Sequence, residues 1–125
     1  MNMGYLALLV AEIPKWIAVT IHDSVIDFAT FEHFKPVSTS ELVKHFNENM
    51  ENAIKELKKI SNEEIAESFS LKNNGQVIFT TTKKESISST INHLVHHRGQ
   101  LTVYMRLNDI AVPSIYGPSA DDKTF

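Results

Sequence analysis

The sequence predicts a mainly α-helical single domain spanning residues 1–125, with three long helical elements, one short helix and a small β-hairpin. Three observations carry this expectation. Apolar residues recur at three- and four-residue steps in three long segments, the spacing that lines one face of a helix. Ser38 and Ser61 each precede a glutamate by three residues, Glu41 and Glu64, the capping-box pattern that satisfies free backbone N–H groups at a helix start. One stretch, Asn73-Asn74-Gly75, has turn chemistry between β-favouring runs.

Leu6, Leu9, Ile13, Ile17 and Thr20 share one helical face, so the first helix runs from about Met3 to Thr20. Pro14 lacks the N–H that would bond the carbonyl four residues back, and a kink or a division into two shorter helices is expected there. From Ile21 to Val37 no helical or strand period persists, and the aromatic-rich segment reads as a packed connecting loop. Ser38 opens the second long helix, whose apolar stripe is Leu42, Phe46, Met50, Ala53, Leu57 and Ile60. Ser61 and Glu64 then cap a short helical turn over 62–67. A hairpin is expected between Phe69 and Thr81, and the last helix runs from about Lys84 to Asn108. Beyond it Pro113, Gly117 and Pro118 enforce an irregular tail.

Composition narrows the function. Aliphatic and aromatic residues make up 42% and charged residues 22%, the balance of a globular chain. A net charge of -3 provides no phosphate-attracting field, so nucleic acid is not an expected partner. With no cysteine, a thiolate nucleophile and every cysteine-ligated zinc cluster are excluded, and any metal must rest on histidine and carboxylate. No apolar stretch is read as approaching the roughly 20 residues that cross a bilayer, and the expected location is cytoplasmic, without a membrane partner.

His93 and His97 stand four residues apart, so on a helix they project from one face and can share a divalent ion; two histidines at this spacing can equally well hydrogen-bond to core neighbours. His96 lies about 100° around the helix from His97 and is not expected in the same ligand shell.

The wider segment Asn92-His93-Leu94-Val95-His96-His97-Arg98-Gly99-Gln100-Leu101, with Tyr104-Met105-Arg106-Leu107 and the stretch Val112 to Asp121, closely resembles the C-terminal signature of the DinB/YfiT-like family. Gly4 to Trp16 is similar to that family's second helix and Gly75 to Thr80 to its hairpin, so the resemblance covers essentially the whole chain. It implies an up-and-down helical bundle in which a histidine of the second helix joins two of the fourth around a divalent metal, zinc or nickel. Carried over residue by residue, the two are His93 and His97. Where family members commonly read L-A-L-H-V-A-E, this chain reads Leu6-Ala7-Leu8-Leu9-Val10-Ala11-Glu12, so Leu9 occupies the third ligand position and has no lone pair to donate. Glu12, one turn away, is a candidate substitute ligand.

A metal-dependent hydrolase or thiol S-transferase, acting on a small thiol or another small molecule, is the activity the resemblance implies. The alternative is a non-catalytic bundle with a structural or oligomerising role, which the loss of a ligand at Leu9 favours. Gln100 and Tyr104 are candidate substrate contacts, against ordinary helix packing. Arg98 is a candidate anchor for an anion or for a tail carboxylate such as Asp121, against a structural ion pair. Members of the family generally carry a further helix ahead of the segment matching residues 1–4. Without it, an apolar groove lined by Leu6, Ile13 and Ile17 is expected to be covered by self-association, giving a homodimer.

Overall fold

A computed structural model describes residues 2–36 and 38–125, so Met1 and Val37, the last residue of the expected connecting loop, lie outside the described residues. Among the described residues, four helices and three strands follow in the order α1 (Met3–His22), β1 (Val25–Asp27), α2 (Thr39–Leu57), α3 (Asn62–Ile65), β2 (Ser68–Asn73), β3 (Gln76–Thr82) and α4 (Lys83–Leu107). The chain is mainly helical, as its periodicity predicts.

Each long helix begins where a side chain can serve its first free N–H groups. Asn2 accepts from Tyr5 N at α1, Ser38 from Glu41 N at α2, and complete capping boxes open α3 (Ser61 with Glu64) and α4 (Thr82 with Glu85). The box at Thr82 places the start of α4 one residue ahead of the expected position. Helix α1 continues through Pro14 as one element, so the alternative of two shorter helices does not occur. It is also long and apolar enough, by length and composition, to cross a membrane, which corrects the reading that no stretch approaches that length. In this fold it is the central helix, with both α2 and α4 packed against it.

Chain direction follows from particular contacts. Lys83 Nζ donates to Ile21 O at 2.9 Å and the His93 ring lies 5.5 Å from that of Trp16, so α4 runs antiparallel to α1. Asn49 Nδ2 donates to Ala11 O at 2.9 Å and Glu56 pairs with His22 at 3.1 Å, so α2 runs in the same direction as α1. The segment between them must therefore return along the length of α1. On the way Phe28 and Phe31 meet Trp16, and then His33 and Phe34 meet Glu12.

This returning segment contains β1, which corrects its reading as loop alone. Only three residues long, β1 is too short to show a period; it is held by parallel pairing of Val25–Asp27 with Ser70–Lys72. Strands β2 and β3 form the expected antiparallel hairpin. Asn74 and Gly75 both take positive φ, 50° and 78°, the backbone of a type I′ turn, at which an asparagine and a glycine carry little strain. Asp27 clasps that turn, its carboxylate accepting from Asn74 N at 3.0 Å and Gly75 N at 2.7 Å, and these N–H groups, together with that of Ala29, hold its pKa below the ordinary carboxylate value.

The central core takes one residue from each long helix, Ile17, Ala53 and Ile87, with Ile21, Leu57 and Ile65 packed around it. Leu6 and Ile13 are fully buried and Ile17 nearly so, which corrects the expectation that these three line an open groove. Packing from two sides covers them. Exposed apolar residues on α2 and α4 include Val43 and Ile54, and Ile91, Val95, Val103 and Leu107; others lie on the sheet, such as Val77 and Ile78, and on the tail, such as Ile115 and Tyr116.

Candidate functional site

α4 is antiparallel to α1, so its histidines face the N-terminal and middle parts of that helix. At i and i+4 their rings lie one turn apart, tilted at 57° with centroids 4.4 Å apart, and the two Nε2 atoms converge to 2.7 Å. Behind His97, Gln100 Oε1 lies 2.7 Å from Nδ1. With that oxygen accepting, His97 carries its proton on Nδ1 and leaves the Nε2 lone pair free to accept from His93 Nε2–H. A metal-binding histidine is commonly held through its second nitrogen in the same manner. Burial, and then the neighbouring His97 and His96 rings, pushes the His93 pKa below its usual value, favouring the neutral imidazole that a metal requires. His96 points elsewhere: exposed, it lies edge-on to His97 with centroids 5.0 Å apart.

The other expected site residues fare differently. Glu12 is 2% exposed, and its carboxylate accepts from His33 Nδ1 at 2.8 Å and from Phe34 N. Both oxygens are committed to the returning loop rather than to the histidine pair. Leu9, seven residues before Trp16 on the same side of α1, is half-buried and brings no donor. Among the described residues, no three or more histidine, cysteine, aspartate or glutamate side chains converge as a metal-binding group. The donors present thus fit a divalent ion in kind and fall one short of the usual three in number.

Gln100 supports His97, a role that the reading as a substrate contact did not include. Tyr104 is half-buried on the same helix, its carbonyl accepting from Asn108 Nδ2. Arg98 lies over the Tyr116 ring at 5.4 Å, while Asp121 pairs at 2.7 Å with Arg106 and accepts from Val112 N; the tail carboxylate is thus anchored by the other arginine. The choice turned on where the tail crosses α4, which the residue types alone leave open.

Sequence reasoning missed a cavity of about 460 Å³ between α1, α4 and the sheet. Trp16, Phe28 and Phe31 form one wall, Phe69, Leu71 and Phe79 of the sheet another, and α4 closes it with Glu85, Ser86, Ser89, Thr90 and His93. His93 thus belongs both to the histidine pair and to the cavity. Trp16 is its aromatic hinge, with Phe28 and Phe31 edge-on to it at 6.4 Å and 6.2 Å. The aromatic richness of 28–34 was a visible signal, but nothing local said that this segment folds back on Trp16.

This helical bundle with a histidine pair on its last helix belongs to the DinB family, whose sequence profile matches residues 7–124. A stretch of 32 residues is 53% identical to the uncharacterized protein YrdA of Bacillus subtilis (strain 168), covering 26% of this chain and 19% of that protein. The chain thus matches about a fifth of that relative's length. No solved structure gives a significant match.

Proposed function

We propose that the chain is a metal-dependent DinB-family enzyme of the hydrolase or thiol S-transferase type with a reduced metal site, in which His93 and His97 would hold a zinc or nickel ion weakly. The observation that carries this reading is the convergence of the two Nε2 atoms at 2.7 Å with Gln100 fixing the far nitrogen of His97. A bound ion would supply Lewis acidity to a small thiol or other small-molecule substrate. The protein's own part is to orient both imidazoles, to hold the His93 pKa below its usual value, and to offer, beside His93, an apolar cavity from which a ligand displaces water. The test is a zinc titration against a chelating dye, using protein purified without a nickel column: weak one-to-one binding that disappears on replacing both histidines supports the reading, and binding indifferent to that replacement refutes it.

A non-catalytic role has its own support. Each imidazole already satisfies the other, and Leu9 contributes no donor, so the pair is stable without an ion. Absence of zinc binding, with the double replacement destabilising the fold, would favour this alternative. The exposed apolar residues of α2 and α4 support self-association under either reading, and light scattering is expected to report a dimer.

A further inference from the structure

We infer that the cavity between α1, α4 and the sheet binds a small, uncharged aromatic molecule bearing a hydroxyl group, its ring against Trp16 and its hydroxyl on Ser86. The inference goes beyond the metal reading and does not require it. The volume of about 460 Å³ falls in the range of small-molecule sites, and five aromatic side chains line it. Flat faces and edges of that kind favour a ring.

Charge decides the rest of the class. The wall contains no lysine or arginine. Lys83, the buried cation near this end of α4, is committed to Ile21 O at 2.9 Å and Glu67 at 3.0 Å, and its neighbour Lys84 is exposed and outside the wall. An acid entering the cavity would therefore shed water without meeting a counter-charge. Glu85 is the wall's one carboxylate, but it accepts from the Thr81 hydroxyl and from Thr82 N and Oγ1, and it offsets the positive end of α4. Neither sign of ligand charge is answered.

Two polar groups of the wall bear on the ligand: Trp16 Nε1, which is buried without a hydrogen-bond partner among the described residues, and the Ser86 hydroxyl. Ser86 is 8% exposed and lies on the cavity wall, and its hydroxyl has no hydrogen-bond partner among the described residues; Thr90, by contrast, spends its hydroxyl on Ser86 O at 2.9 Å. The Ser86 hydroxyl is open to the cavity, where a ligand hydroxyl can take the place of water.

The chain has one tryptophan, Trp16, and it sits in the wall, so its fluorescence reports occupancy. The probes are 2-phenylethanol, the similarly sized 2-phenylethylamine and phenylacetate, and ethylbenzene, which lacks the hydroxyl, each titrated in chelator and again with zinc. Saturable binding of 2-phenylethanol about tenfold or more tighter than either charged compound, in chelator as well as with zinc, is the expected result. Ser86→Ala should weaken 2-phenylethanol about three- to tenfold and leave ethylbenzene unchanged, since only one hydrogen bond is removed. Ser89→Phe, at an exposed helical position on the wall, should abolish binding by filling the space. Equal or tighter binding of the acid or the amine, an unchanged affinity in Ser86→Ala, or full binding by a folded Ser89→Phe protein would each overturn the inference. Because the decisive titration is made in chelator, failure here and failure of zinc binding are separate results.

Discussion

Glu12 on α1 and the His93–His97 pair on α4 are both polar groups set into the helix packing, and they are satisfied in opposite ways. The Glu12 carboxylate is bonded to two groups of a distant loop, His33 Nδ1 and Phe34 N, and so ties the returning segment to the central helix. His93 and His97 bond chiefly to each other and to Gln100, all on one helix within two turns. A polar group whose partners lie far away in sequence holds the fold together. One whose partners are its own neighbours contributes little to tertiary structure and is free to exchange a partner for a ligand.

Removing the tie should produce the largest effect. Glu12→Ala strands the Phe34 N–H and His33 and leaves a void, and it is expected to cost about 3 kcal/mol of stability in denaturant melts. The same variant should loosen Phe31 from Trp16 and alter tryptophan emission. A loss below about 0.5 kcal/mol, the level of an ordinary surface change, would erase the contrast with the histidine pair.

Supplying the missing donor comes next. Leu9→His is expected to tighten zinc binding about tenfold or more in dye competition, since three imidazoles make the usual open zinc site. If the unaltered chain already holds one equivalent tightly and the replacement changes nothing, another group completes the site.

The double replacement His93→Leu with His97→Leu then sharpens the comparison. In chelator it should leave stability within about 0.5 kcal/mol or raise it, because leucine favours the helix and adds apolar surface. A loss of about 1–3 kcal/mol per histidine would instead make the pair a structural tie like Glu12.

The smallest effect concerns pH. The folded-state pKa of His93 lies below its ordinary value of 6.5, so the unfolded chain takes up the proton first. The stabilising contribution is complete above 6.5 and is lost as pH falls from there through the lowered folded value, and zinc should be released over the same window. Urea midpoints measured from neutral to mildly acidic pH should show a decline that is shallower in the double variant; identical slopes would remove His93 from the explanation.

Much of this was legible in residue order. Three helical stripes, the Ser38 and Ser61 caps, the Asn74-Gly75 turn and the face shared by His93 and His97 are all properties of neighbours within a few positions, fixed by a 3.6-residue helix period or by the φ a turn demands. The absence of a donor at Leu9 was equally a matter of residue type. Tertiary structure alone decided that β1 exists, that Glu12 serves a loop twenty-odd residues away, that Asp121 takes Arg106 rather than Arg98, and that Trp16, the sheet and α4 enclose a cavity. Each of these depends on the direction in which separate elements pass one another, and that is set by how the whole set of apolar faces is buried at once, a sum over distant residues that no local pattern contains.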